Sequence, residues 1–187
     1  IAIPQSESGQ GVYTALAQIV AGELGADWRS VAVQPVSANP LFANELLARE
    51  WAPAFWPESL NPQMIGSGIE GLITERARRS NFVVTGGSSS IRQFEQPCRE
   101  AGATARVLLC QAAAARWDTD WEQCETDKGF VVFGKKRLAF ADLVVEAAEL
   151  SPPDPIPLRP SPRNHLSGRD APRLDLSAKV DGSASFA

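Results

Sequence analysis

An α+β fold is what this sequence predicts, with a mixed sheet and packed helices up to about residue 150 and an extended linker after it. Three observations carry that expectation. A strand, a glycine turn, a helix and a second strand follow one another between Ile1 and Val36. A long helix with apolar periodicity is expected between Ile91 and Arg116, and a hairpin with a small helix follows it. Interleaved strands and helices of this kind imply two packed layers, as α+β or as an α/β sandwich.

The elements follow in order. Ile1-Ala2-Ile3 reads as a strand ended by Pro4, and Gln5 to Gly11 is a polar turn. Val12, Leu16, Ile19, Val20 and Leu24 recur at helical spacing, and Gly25 stands where a C-terminal cap belongs. Val31 to Val36 is expected to be a strand, with Pro35 near its end or at an edge. Residues 37–66 read as irregular, with Trp51, Phe55 and Trp56 as packing anchors, and a short helix is expected over 69–79. Phe82-Val83-Val84 runs into Thr85-Gly86-Gly87-Ser88-Ser89-Ser90, and the long helix begins there. Pro97 predicts a later start or a kink in it. Gly102 costs the same helix about 1 kcal/mol against alanine, which implies close approach of another backbone. Phe130–Phe133 and Arg137–Phe140 flank Gly134-Lys135-Lys136 as a hairpin, and a small amphipathic helix covers Ala141 to Leu150. Ser151 to Pro162 is proline-dense and reads as extended linker, not core.

Bulk properties exclude several classes. The chain has 187 residues, 44% hydrophobic and 21% charged, with a net charge of −4, so nucleic acid is not an expected partner. No apolar run approaches the roughly 20 residues that cross a bilayer as a helix. Cys98, Cys110 and Cys124 are too widely spaced for a thiolate-held metal or cluster and read as buried free thiols. His165 is the single histidine and lies in the proline-rich tail, which leaves no Ser-His-Asp arrangement. Arg76, Arg78 and Arg79 read as a solvated helix end. No direct metal ligands and no catalytic residue are assigned.

Two places put glycine beside a helix start. Gly9-Gln10-Gly11 precedes the first helix, and Gly86-Gly87-Ser88-Ser89-Ser90 precedes the long one. Unpaired backbone N–H groups there favour an anionic ligand, and the serine hydroxyls add donors. The Gln10 amide can both donate and accept, which suits a neutral heterocycle or an oxo group. Ordinary helix caps look the same, so these runs alone leave both readings open.

The residues around these runs carry a resemblance. Glu7-Ser8-Gly9-Gln10-Gly11-Val12-Tyr13-Thr14 resembles the E-x-G-Q-G-x-x-T motif of the xanthine dehydrogenase and aldehyde oxidase family. Thr85 to Arg92, with Arg99-x-Ala101-Gly102-Ala103-x-Ala105-Arg106, resembles that family's cofactor-cradling loop and helix. Gly168 to Phe186 resembles the opening of its α/β hammerhead domain. That opening normally precedes the glutamine motif, and here it follows. The permuted order resembles the branch containing the beta subunit of isoquinoline 1-oxidoreductase and related bacterial aldehyde dehydrogenases. Residues 43–80 fit least well and look like an insertion.

The resemblance implies the N-terminal part of a molybdenum-binding subunit: a molybdopterin-binding segment over 1–150, then a linker and the start of a hammerhead over 151–187. It implies molybdopterin cytosine dinucleotide carrying molybdenum, and hydroxylation of an aldehyde or N-heterocycle with oxygen from water. Gly9, Gln10, Gly11, Gly86, Gly87, Ser88, Ser89 and Ser90 are its cofactor-binding candidates. The family's glutamate base has no counterpart here. Implied partners are the remainder of the molybdenum subunit, a subunit with 2Fe–2S clusters and a cytochrome c acceptor, in the bacterial periplasm or, alternatively, the cytoplasm. The chain is expected to pack against further polypeptide, because Ile1 begins inside a strand and Leu174, Val180 and Phe186 need a surface from elsewhere. The contrasting reading is a non-catalytic α+β module that binds a phosphorylated small molecule.

Overall fold

A computed structural model describes residues 1–55, 67–160, 164 and 166–184. Trp56, His165 and Phe186 lie outside the described residues, and Phe55 is described by its backbone alone.

The chain is α+β, with two separate small sheets among the described residues where a single mixed sheet was expected. Strand β1 (Ala2–Ile3) pairs in parallel with β2 (Gln34–Pro35), Ala2 opposite Gln34 and Ile3 opposite Pro35. Helix α1 (Val12–Leu24) makes the crossover that a parallel pair requires. The second strand is shorter than the sequence suggests: of Val31 to Val36, only Gln34 and Pro35 are in register with β1. The strand opened by Ile1 finds its neighbour in β2 of this same chain: Gln34 N–H donates to the Ile1 carbonyl at 2.9 Å. It therefore gives no argument for a missing partner.

Helix α1 ends as the sequence implies. Gly25 sits at φ 78° and its N–H donates to the Ala21 carbonyl at 2.9 Å, a left-handed cap that suits glycine.

Residues 37–66 are not wholly irregular, since helix α2 (Glu45–Phe55) lies within them. Buried Asn44 starts it by accepting from Leu47 N–H at 3.1 Å, and Leu47 and Ala52 turn inward. Helix α3 (Ser67–Arg79) packs Ile69 and Ile73 against Ala52. Its exposed basic end is the solvated one expected, with Arg78 reaching Glu45 and Arg79 reaching Glu75.

Helix α4 (Ser89–Trp117) is the spine of the fold. It starts at Ser89 and runs through Pro97 without a later start. The lost Pro97 N–H removes one bond of a long ladder, and burial on both halves outweighs it. Ile91 and Phe94 of the first half join Ile3, Val12, Leu16 and Ala17 in one apolar cluster. The second half buries Leu109, Cys110, Ala113 and Ala114 with Cys124, Val131, Leu143 and Ala147. The strands there form an antiparallel meander of β3 (Glu125–Asp127), β4 (Phe130–Phe133) and β5 (Lys136–Ala139), one strand more than the expected hairpin. Short helix α5 (Val144–Ala148) follows it.

Residues 151–160, the described part of the proline-dense stretch, have no regular structure, yet they are not a free linker. Arg159 is 5% exposed, and its N–H donates to Glu23 of α1 at 2.8 Å. Glu23 is fully buried and also accepts from Arg99 Nε at 2.7 Å, with Arg106 at 3.8 Å. The guanidinium of Arg159 in turn donates to Thr126 Oγ1 at 2.6 Å.

Residues 166–180 then fold back along α1. Gln18 Nε2 donates to the Leu166 carbonyl and, at 2.8 Å, to that of Arg169. Leu174 packs beside Val12 and Leu16, which corrects the expectation that it lacks a surface in this chain. Helix α6 (Leu176–Val180) leaves Leu176 51% and Val180 79% exposed.

The three cysteines are free, and burial raises all of their thiol pKa values, that of Cys98 to about 11 and that of Cys110 to about 12. Iodoacetamide at pH 8 is expected to leave Cys110 and Cys124 unlabelled in the folded chain and to label all three after denaturation. Intact mass reads the difference, and rapid native labelling of Cys110 would contradict the packing.

Candidate functional site

The two glycine turns lie at one end of a helix pair. Along α1 and α4, Ile91 and Phe94 meet the start of α1, whereas Arg99 meets Glu23 near its end. The two helices therefore run parallel, and both N-termini point the same way. The loops leading into them are joined by Ser6 N–H donating to the Val83 carbonyl at 3.4 Å. A groove of about 350 Å³ lies along the pair, lined by Gln18, Ile19, Ile91, Glu95 and Arg99 and closed by Asn164 and Gly168.

At the first turn, the N–H groups that would face an anion already have one. The carboxylate of Glu7 accepts from Gly9 N–H at 2.8 Å, Gly11 N–H at 3.0 Å and Tyr13 N–H at 3.1 Å. An internal carboxylate thus serves part of the α1 terminus, and the expectation of unpaired N–H groups is corrected for Gly9, Gly11 and Tyr13. Burial pushes the Glu7 pKa up, but the bonds from Gly11, Tyr13 and Gly9 and the charge of Lys179 outweigh it, and the net shift is downward. Gln10 is exposed; its Oε1 accepts from Ser8 N–H at 2.6 Å and its Nε2 donates to the Ser6 carbonyl at 2.8 Å. A Cβ built on Gly9 or Gly11 meets nothing within 4 Å, so the outer face of this turn is open to approach.

At the second turn the three serines differ. Ser89 is buried, donates to the Gly86 carbonyl at 2.6 Å and accepts from Asn44 Nδ2 at 2.7 Å. Ser90 is also buried and donates to Thr85 Oγ1 at 3.2 Å. Only Ser88 presents an exposed hydroxyl, from a left-handed N-cap with φ 54° and no side-chain cap bond. Gly86 lies under Trp51, 3.0 Å from where its Cβ would stand, and Gly87 faces Glu50 and Leu47 of α2. The loop's shape is therefore set by α2 as much as by its own glycines.

Sequence reasoning missed Asn44, which donates to both the Val84 carbonyl and Ser89 and so fixes the loop from outside. A lone asparagine in the stretch that fits the motifs least well gives no signal of that role. It also missed Glu7, although Glu7 stands inside the glutamine motif. Among the described residues no three His, Cys, Asp or Glu side chains group as a metal site, and no helix is long and apolar enough to cross a membrane.

No family model matches the chain. It is 28% identical to the beta subunit of isoquinoline 1-oxidoreductase from Brevundimonas diminuta, covering 100% of this chain and 24% of that protein. It is 26% identical to the membrane-bound aldehyde dehydrogenase (pyrroloquinoline-quinone) of Gluconacetobacter polyoxogenes, covering 98% of this chain and 20% of the relative. It is 33% identical to a nicotinate dehydrogenase subunit from Pseudomonas putida over 60% of this chain and 10% of the relative. The chain thus spans about a quarter or less of the length of the curated relatives it matches. These similarities bear out the likeness carried by the motifs to the beta subunit of isoquinoline 1-oxidoreductase and to bacterial aldehyde dehydrogenases.

Proposed function

We propose that this chain is part of the molybdopterin-binding subunit of a molybdenum hydroxylase, and that its two glycine turns form one side of the cofactor site. The observation that carries the reading is the parallel α1–α4 pair, whose two motif-bearing starts share an end. The residues there suit different parts of such a cofactor. Gln10 offers an exposed amide on an open turn, fitted to a neutral ring edge or an oxo group. Ser88, with Gly87 beside it, offers a hydroxyl at the start of a helix of 29 residues, fitted to a phosphate oxygen. Glu7 already occupies the α1 terminus, so the anionic portion belongs at α4. Molybdopterin cytosine dinucleotide is the proposed form; when bound, it would supply the molybdenum chemistry that hydroxylates an aldehyde or N-heterocycle with oxygen from water. The protein's part is orientation and electrostatics.

The proposed partners are the remainder of the molybdenum subunit, in the same polypeptide or a separate one, and a 2Fe–2S subunit, with 151–187 as linker and hammerhead start. A cytochrome c acceptor and a periplasmic location complete the proposal. Elemental analysis with intact mass on the purified complex tests it. Molybdenum in proportion to this chain, with a cytosine nucleotide released by acid, is expected; extractable pyrroloquinoline quinone and no molybdenum would overturn it.

Gln10→Ala is expected to lower turnover of that complex about tenfold, which corresponds to about 1.4 kcal/mol of lost hydrogen bonding. The fold should lose no more than about 1 kcal/mol, because the two bonds removed are local and exposed. Unchanged turnover with unchanged molybdenum content would remove Gln10 from the site.

A further inference from the structure

Glu7 is tied to residues 166 positions away as well as to its own turn. Arg173 Nη2 lies 3.3 Å from Glu7 Oε1, and Arg173 Nη1 donates to the Gly9 carbonyl at 2.9 Å. Lys179 Nζ stands 3.6 Å from the same carboxylate oxygen. Asp175 holds both cations in place: Arg173 Nε and Nη2 each reach it at 3.0 Å, and Lys179 pairs with it one helical turn away. Leu174 N–H donates to Thr14 Oγ1 at 3.1 Å, which seats the segment between those side chains on α1. The Glu7 side chain is 6% exposed and that of Lys179 22%, whereas Arg173 at 35% stays open to water, so the Lys179 pairing is the less screened of the two.

We propose that Glu7 is a positioning residue for the Gly9-Gln10-Gly11 turn and that Arg173, Asp175 and Lys179 lock it, so that seating of the 173–180 segment decides whether Gln10 is presented. This rests on the reading that the turn faces the cofactor. The geometry is one of relay. Glu7 gathers three backbone N–H groups of the turn, Arg173 takes a carbonyl of the same turn, and Asp175 neutralises the surplus positive charge. Without the carboxylate, the three N–H groups turn to water and the left-handed Gly9 and Gly11 regain their freedom. Without the cations, the carboxylate loses its anchor to the tail, and its bonds to the three N–H groups open more often.

Amide hydrogen exchange on the purified chain, in the complex in which it is isolated, tests the lock without using activity. In Glu7→Gln, exchange at Gly9, Gly11 and Tyr13 is expected to rise about tenfold, while amides in the second half of α4 stay protected. The double variant Arg173→Gln/Lys179→Met should raise the same three amides several-fold, and Arg173→Lys with Lys179 intact should restore most of the protection. Wild-type exchange in the double variant would overturn the lock, and wild-type exchange in Glu7→Gln would overturn the positioning role.

Should a variant lose protection throughout α4, carbon-13 titration of Glu7 in the unaltered chain decides the matter. The groups facing Glu7 are Arg173, Lys179, Asp175 and Tyr13, and Asp175 is itself held down at about 2. With the Glu7 pKa lowered, the lock is complete at and above the ordinary carboxylate range and is released as pH falls through the lowered value. A Glu7 that titrates at the ordinary glutamate position overturns the proposal. Metal analysis remains separate: a complex without molybdenum would sink the cofactor reading and leave the exchange result standing.

Discussion

Glu23→Ala is expected to cost about 3–5 kcal/mol of stability, the largest effect of any single change in α1. Glu23 is fully buried and is the shared acceptor of Arg99 Nε and the Arg159 backbone N–H, with Arg106 at 3.8 Å. Removing it leaves the Arg99 and Arg106 guanidinium groups of α4 without their shared carboxylate and the Arg159 backbone N–H without its acceptor. At roughly 2–4 °C per kcal/mol for a chain of this size, the midpoint should fall by about 6–20 °C. Glu23→Gln keeps the acceptor oxygen and removes the charge, so it should fall between the two. The 150–160 stretch should also become open to limited proteolysis, because its anchor at Arg159 is lost. Thermal unfolding with a protease time course reads both, and a loss below about 1 kcal/mol would mean that the buried cluster is not a keystone.

Gly102→Ala is expected to destabilise by about 2 kcal/mol although alanine is the better helix former by about 1 kcal/mol. A Cβ at this position would stand 2.5 Å from the Val20 carbonyl oxygen and 2.8 Å from Glu23 Cβ. Backbone cannot yield as a side-chain tip does, so α1 and α4 must separate, and Glu23 and Arg99 move with them. Gly71→Ala in α3 is the matched control. Its Cβ meets nothing within 4 Å, so it should stabilise by about the propensity difference of 1 kcal/mol. Opposite signs in denaturant titrations are the expected result, and a stabilising Gly102→Ala would show that the helices are not in close approach.

Much of the local structure was legible. The periodicity of Val12 to Leu24, the cap at Gly25 and the strand pairing around Gly134 each depend on neighbours in sequence, and each appears in the structure. Gly102 was legible as a close approach because a glycine in a strong helix needs a steric reason. Helix α2 was not, because Trp51, Pro53 and Phe55 obscured a short amphipathic face and Asn44 gave no sign of capping. Pro97 looks like a boundary because the sequence shows the lost hydrogen bond, and not the burial on both sides of it.

The site divides in the same way. The motifs named Gly9, Gln10, Gly11 and the Gly86–Ser90 run, since residue type and spacing were enough to mark two helix starts. Which of their groups remain available was decided only by tertiary structure. Glu7 fills the first terminus, Asn44 and Gly86 engage Ser89, Thr85 engages Ser90, and Arg173 and Lys179 arrive from the far end of the chain. The sequence by itself determined the elements and the motif-bearing turns, because helices, caps and hairpins are set by interactions over a few residues. The pairing of α1 with α4, the burial of Glu23 and the clamp on Glu7 were decided by the folded chain. Each joins residues at least 76 positions apart, and the energy of a buried charge depends on partners that no local pattern reveals.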